Sequence, residues 1–193
     1  MNKLKDNDIR QVLLKYLSAH YFDDKDTKII NEMGVLHGQS RVDVAVINGI
    51  LHGYEIKSES DTLLRLPRQI EDYSQVFDRM TIVVQRNYLE AVRGIIPIWW
   101  GIMLVTRSRN GEVLNIKEIR KGKLNKSVNA YSLSHLLWRN EALNILKENG
   151  LQKGYLSKPR HDLYRKICGS FDLSDIKLMV NQQLKMRENW RAP

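Results

Sequence analysis

Arg41-Val42-Asp43-Val44-Ala45-Val46-Ile47-Asn48-Gly49-Ile50-Leu51-His52-Gly53-Tyr54-Glu55-Ile56-Lys57 reads as two β-rich runs around Asn48-Gly49. An Asn-Gly between two such runs is a strong hairpin signal, because both residues tolerate positive φ. Side chains alternate between the faces of a strand, so Glu55 and Lys57 project from one side. Whether Asp43 joins them depends on the turn. With a two-residue turn at Asn48 and Gly49, Asp43 faces Tyr54, and Glu55 lies on the opposite side. A three-residue turn with Gly49 in the left-handed conformation, or a bulge at Gly53, brings Asp43 and Glu55 to one face. A site built on these residues therefore requires an odd turn or a bulge.

Working outward, residues 7–20 place Ile9, Val12, Leu13, Tyr16 and Leu17 on one helix face, with Asp6 or Asp8 as the cap. Lys28 to Val35 reads as a first strand. After the hairpin a helix is expected, with Pro67 in its first turn and Leu66, Ile70, Tyr73 and Phe77 as its apolar stripe. Met80 to Val84 reads as a buried strand. Ile96 to Val105 and Val113 to Ile119 read as two more strands, joined across Arg109-Asn110-Gly111-Glu112. A basic loop from Lys117 to Lys126 includes Arg120, Lys121 and Lys123, and helical patterns follow at about 131–148, 158–168 and 173–189. The order implies an α/β core, a mixed sheet flanked by helices over residues 1–128, followed by a basic helical extension over 129–193.

Composition narrows the function classes. Hydrophobic residues make up 42% and charged residues 27%, as in a folded globular protein. Cys168 is the single cysteine, so an intrachain disulfide and a four-cysteine zinc site are excluded. The N-terminus runs straight into charged residues, and the longest apolar stretch, Gly94 to Val105, is too short to span a bilayer. A cytoplasmic location without membrane attachment is expected. The net charge of +9 lies entirely in residues 117–193, and residues 1–116 are neutral overall. A localised basic surface attracts polyanions through counterion release and long-range steering, which makes nucleic acid the leading partner.

If the turn is odd, two carboxylates stand close together, and they need a cation or a proton to coexist. A hard divalent ion such as Mg²⁺ suits oxygen ligands and leaves positions for water and a phosphate oxygen. Lys57 would orient or deprotonate the attacking water and add positive charge beside the phosphate. A Glu-x-Lys pair on an exposed strand is commonly a solvated ion pair. Here the strand is otherwise apolar, so its charges need a reason. Arg65 and Arg68 flank this position and are candidates for phosphate contact, as are Lys121 and Lys123 in the basic loop. Trp99 and Trp100 read as core. The five histidines are scattered without metal-ligand spacing, and neither a nucleophile elbow nor a Gly-rich phosphate loop is present.

Asp43 followed by Glu55-Ile56-Lys57 on a hairpin, then a helix and a hydrophobic strand, resembles the PD-(D/E)XK nuclease superfamily. Gln69-Ile70-Glu71-Asp72-Tyr73 on the next helix is similar to the Gln-x-x-x-Tyr motif of RecB-like nucleases. Gln69 and Tyr73, four apart, share a helix face. The stretch from Arg41 to Val84, together with Trp99-Trp100-Gly101 and Leu136-Leu137-Trp138-Arg139, resembles a little-characterised bacterial and phage family within that superfamily. Val42 stands where the superfamily motif has proline. The resemblance implies a restriction-endonuclease-like core and a Mg²⁺- or Mn²⁺-dependent nuclease acting on DNA. It implies that Asp43 and Glu55 bind metal with help from the Ile56 carbonyl, that Lys57 is catalytic, and that Gln69 and Tyr73 point toward the substrate strand. It also implies an acidic residue from an earlier element, for which Glu32, before Gly34 on the first strand, is the candidate. A protein that keeps this fold without catalysis, binding nucleic acid or a protein partner in phage or mobile-element defence, is the alternative.

Overall fold

In the computed structural model, which describes residues 4–59, 61–108, 114–188 and 190, the chain forms a mixed sheet with helices on both faces. The elements run α1 (Asp6–His20), β1 (Lys28–Val35), β2 (Ser40–Asn48), β3 (Ile50–Lys57), α2 (Leu66–Ser74), β4 (Arg79–Gln85), α3 (Leu89–Ile95), β5 (Gly101–Arg107), β6 (Leu114–Arg120), α4 (Ala130–Ser134), α5 (Arg139–Glu148), α6 (Arg160–Cys168) and α7 (Leu173–Met186). The six strands lie in chain order. β3 pairs parallel with β4 and β4 with β5, and the other neighbours are antiparallel. Parallel pairs need crossovers, and α2 and α3 supply them.

Each face has its own apolar cluster. On one face Ile9, Leu13 and Leu17 of α1, all buried, pack against Val44, Val46, Tyr54, Ile56, Val83 and Met103. Burial of each such side chain contributes about 1.5–3 kcal/mol. The opposite face holds Ala45, Ile47, Leu51, Ile82 and Val84 under α2, and the same cluster continues through Trp100 into Leu133, Tyr164, Ile176, Val180 and Leu184 of the C-terminal helices. One contiguous core thus joins the sheet to the helical extension. Lys177 of α7 pairs with Asp78 at 2.6 Å, while Asp78 accepts the Leu51 N–H at 2.9 Å.

The strands at 28–35 and 80–84, the hairpin and α1 stand where the pattern puts them. Asp8 takes the Lys5 N–H at 2.9 Å at the start of α1, and Asp6 pairs with Arg10 instead. The strand expected over Ile96–Val105 begins only at Gly101. Leu89–Ile95 is helical, and the Trp100 N–H closes a turn on the Pro97 carbonyl at 3.1 Å. Pro97 has no N–H for a ladder, so the apolar run before Gly101 could not be strand. Ile98 is 80% exposed there, and Trp100 is fully buried while Trp99 is partly so. The single helix expected over 131–148 is two. Trp138 is extended (ψ 162), and Glu141 accepts its N–H at 2.6 Å to start α5. The expected connection across Arg109-Asn110-Gly111-Glu112 lies outside the described residues. Among the described residues, no helix is long and apolar enough to cross a membrane.

Candidate active site at the carboxyl end of β3

The β2–β3 turn is odd. Asn48 pairs with Ile50 around Gly49, whose φ of 65° a side-chain-free residue adopts without strain. The register then runs Ile47↔Leu51, Ala45↔Gly53 and Val44↔Tyr54. The ladder ends at that last pair, and beyond it the Asp43 carboxylate reaches the Ile56 N–H and acts on Glu55 through its charge.

Glu55 and Lys57 continue the parity of Leu51 and Gly53, so they lie on the face that α2 covers. Both are buried, at 2% and 7% exposure. Lys57 Nζ donates to Glu55 Oε1 at 2.7 Å and to Gln69 Oε1 at 3.1 Å, and Gln69 Nε2 donates to Glu55 Oε1 at 2.6 Å. The Tyr73 hydroxyl lies 2.9 Å from Glu55 Oε2 and 2.7 Å from the Arg41 carbonyl, and it accepts from Gln69 at 3.3 Å. Its ring is wedged against Phe77 and Trp100. Tyr73 is thus both core and site, and four sequence-predicted residues form one hydrogen-bonded group.

Asp43 occupies a gap in the sheet. The β1–β2 ladder pairs Asn31↔Val44 and Met33↔Val42 but skips Glu32 and Asp43, and Glu32 has φ 54°. Ile30 and Ala45 before the break, and Met33 and Val42 after it, all enter the same apolar cluster, so both strands change parity there. Freed from the ladder, Asp43 Oδ2 accepts the Ile56 N–H at 2.7 Å, and Oδ1 accepts Arg10 Nη2 at 2.8 Å. Arg10, from the helix on the other face, also donates to the Asp43 carbonyl at 2.7 Å and pairs with Asp6 at 3.0 Å.

Electrostatics follows from this packing. Burial raises the Glu55 carboxyl, and the Asp43 charge raises it further, to about 7 against the opposing pull of Lys57 and Tyr73. Burial also raises Asp43, offset by the Ile56 N–H and Arg10. Burial and the Glu55 charge push the Tyr73 phenol upward. A crowded carboxylate pair of this kind favours a proton or a cation between its members. Asp43 Oδ1, Asp43 Oδ2 and Glu55 Oε2 each accept from one side chain or amide among the described residues, so each keeps an acceptor position. Two hard-oxygen carboxylates match the chemistry of Mg²⁺ or Mn²⁺.

Other expected residues stand apart. Glu32 is half exposed and pairs with Arg41 at 3.2 Å and Arg10 at 3.8 Å. Among the described residues, there is no group of three or more His, Cys, Asp or Glu side chains that could hold a metal ion. Arg65 and Arg68 are exposed at the start of α2, one turn before Gln69 and directly before it, and Arg68 pairs with Asp72 at 3.2 Å. Lys121 and Lys123 are also exposed. Between them a Cβ at Gly122 would meet Met80 and Gly101, which mark the opposite ends of β4 and β5 from the Lys57↔Val84 pair. They do not line the site. The residues that the sequence reading missed are Arg10 and Asp6, whose only signal was an i,i+4 charge pair on the polar face of α1.

A family model described as "Bacteriophage P4 protein cII" matches residues 1–191. Protein cII of Enterobacteria phage P4 is 26% identical over 184 residues, an alignment that spans 95% of this chain and 68% of that relative. Among solved structures, a protein of unknown function from Silicibacter pomeroyi aligns at 17% identity and a TM-score of 0.44, covering 77% of this chain and 96% of the other.

Proposed function

The chain belongs to the bacteriophage P4 protein cII family, and from that premise and the geometry above we propose that it is a metal-dependent nuclease hydrolysing phosphodiester bonds of DNA. The observation that carries the reading is the convergence of Glu55, Lys57 and Gln69 within 2.6–3.1 Å of one another, with Asp43 bound to the Ile56 N–H between Glu55 and Lys57 in sequence. A lysine and a carboxylate this deeply buried are held at a desolvation cost that surface ion pairs avoid. Buried titratable groups arranged that way are a frequent mark of chemistry. The mixed sheet flanked by helices supports a restriction-endonuclease-like core.

Asp43, Glu55 and the Ile56 carbonyl are the ligands proposed for Mg²⁺ or Mn²⁺, which when bound supplies Lewis acidity toward a phosphate and a water. Lys57 Nζ places a positive charge beside the phosphate and orients the attacking water. Gln69 spans Glu55 and Lys57, fixing the distance between acid and ammonium. Tyr73 ties Glu55 to the Arg41 carbonyl and so holds β3 against β2. Arg65 and Arg68, whose exposure beside Gln69 supports the assignment, take the phosphates of the substrate strand in this reading. A cytoplasmic location belongs to the same proposal.

A second reading rests on Arg10. Its guanidinium neutralises Asp43, as Lys57 neutralises Glu55, so the charged group is internally balanced without an ion. That arrangement suits a non-catalytic protein that binds nucleic acid or a protein partner. Wild type and Lys57→Ala incubated with linear, circular and single-stranded DNA, with Mg²⁺ or Mn²⁺ and with chelator, separate the two. The nuclease reading expects cleavage by wild type with metal, lost on chelation and in Lys57→Ala. Equal cleavage by both proteins removes Lys57 from the mechanism, and no cleavage of any substrate favours binding alone.

A further inference from the structure

The turn from β1 to β2 is strained. Leu36 (φ 50°), His37 (φ 59°) and Gly38 (φ 84°) are left-handed in succession, and two of the three carry side chains. Strain of this kind persists only where the surroundings impose it, and it gathers at ligand sites. Here it presses the His37 ring onto His135 after α4, with centroids 4.2 Å apart, and toward Tyr164 of α6 at 5.9 Å. Beside these rings lies a cavity of about 250 Å³, lined also by Trp138, Arg160, Arg187 and Trp190.

The lining is built. Arg187 is bidentate to the buried Glu141, and its guanidinium lies 4.1 Å from the Trp138 ring and 4.7 Å from the Trp190 ring, which locks both indoles. The Trp190 indole N–H is buried and has no hydrogen-bond partner among the described residues. Burial, His135 and the Arg160 charge hold His37 down at about 4, and burial with Arg160 lowers His135. Both imidazoles are therefore neutral near pH 7, and each offers one donor and one acceptor nitrogen. Flat aromatic walls, neutral hydrogen-bonding edges and two arginines, of which Arg187 is held by Glu141, in a space smaller than that of most drug-sized pockets suit a single planar heterocycle carrying an anion.

We propose that this pocket is a nucleotide subsite, taking one base against the His37, His135 and Trp190 side chains and its phosphate at Arg160. The inference deepens the nuclease reading and rests on it for the polymer that supplies the base. Gly38 and Asp43 are on one short segment, at most ~18 Å apart along the backbone. A base held here therefore sits a few nucleotide steps from the carboxylates and would choose where a strand stops.

The test uses the full chain as wild type, His37→Gly and Arg160→Ala. Each is titrated calorimetrically with dAMP, deoxyadenosine, inorganic phosphate and a single-stranded oligonucleotide, with circular dichroism as the check on folding. Glycine adopts the left-handed backbone freely, so His37→Gly keeps the turn. The expected result is at least tenfold weaker dAMP binding in His37→Gly and in Arg160→Ala than in wild type, and weaker binding of deoxyadenosine and phosphate than of dAMP. Competition by the oligonucleotide assigns the base to a strand, and dAMP binding without competition assigns it to a free nucleotide; both uphold the pocket. Unchanged affinity in both pocket variants, phosphate binding as tightly as dAMP, or no binding of dAMP and oligonucleotide alike overturns it. Retained dAMP binding without any DNA cleavage counts against the nuclease reading and leaves the pocket standing.

Discussion

Arg10 Nη2 stands 2.8 Å from Asp43 Oδ1, so the helix on one face of the sheet supplies the counter-charge for the carboxylate in its gap. The side chains are 14% and 22% exposed, so the pair is screened only in part. Replacing Arg10 by Gln leaves the Asp43 charge, which already raises Glu55, without its cation. The variant is expected to lose about 2 kcal/mol of stability in chelator. Millimolar Mg²⁺ should restore more stability to Arg10→Gln than to wild type, because binding to the native state alone stabilises by mass action. Thermal unfolding with and without Mg²⁺ reads this directly, and equal Mg²⁺ shifts in the two proteins would count against a cation between the carboxylates.

Gly53 is where the hairpin meets α2 and β4. A Cβ there would lie 2.4 Å from the Met80 sulfur and 3.0 Å from the Phe77 ring. Gly53→Ala is expected to cost about 1–3 kcal/mol, as overpacking of a filled core does. Urea unfolding measures the cost. A neutral result would mean that Met80 turns aside without disturbing the sheet.

His52 gives the stability its pH slope on the acid side. Burial, helped by the Arg79 charge, lowers its pKa to about 3, against roughly 6.5 when unfolded. Between those values the unfolded chain holds a proton that the folded chain lacks. The stability present above pH 6.5 is therefore lost as pH falls through this window. Between pH 6.5 and 5 the loss should reach about 1–2 kcal/mol. His52→Gln, which cannot titrate, should flatten the slope of unfolding free energy over that range. An unchanged slope would place its origin in other groups, of which His37 is the first to test.

The apolar cluster shared by the sheet and the C-terminal helices predicts a single unfolding event. Arg187 and Glu141, 6% and 8% exposed, lie within the helical part, and the Lys28 ammonium of β1 donates to the Lys185 and Arg187 carbonyls. Glu141→Ala, which strands a buried guanidinium, should destabilise the whole chain by about 3–5 kcal/mol. Far-ultraviolet dichroism and tryptophan fluorescence should report one coincident midpoint in both proteins. Two separated midpoints would show that residues 129–193 unfold by themselves.

Local chemistry accounts for much of what was legible. The Asn48-Gly49 turn, the alternating runs around it, Pro67 at the start of α2 and the Gln69–Tyr73 spacing are short-range signals, and each names an element or a shared face. The α3 helix was not legible, because the apolar run Ile95 to Trp100 hides the turn at Pro97. The split between α4 and α5 was hidden because a periodic pattern does not mark where Trp138 becomes extended.

From its own residues the sequence determined an α/β order, the hairpin, the Glu55–Lys57 face and the placement of all net positive charge after residue 116, since these depend on periodicity and composition. Only the tertiary structure decided that the turn is odd and that β1 and β2 break together at Glu32 and Asp43. It also brought Arg10 from the opposite face to hold Asp43. The reason is physical: strand parity and counter-charges are settled by which surfaces pack on which, and a carboxylate released from its ladder takes whatever donors the two neighbouring layers bring within reach.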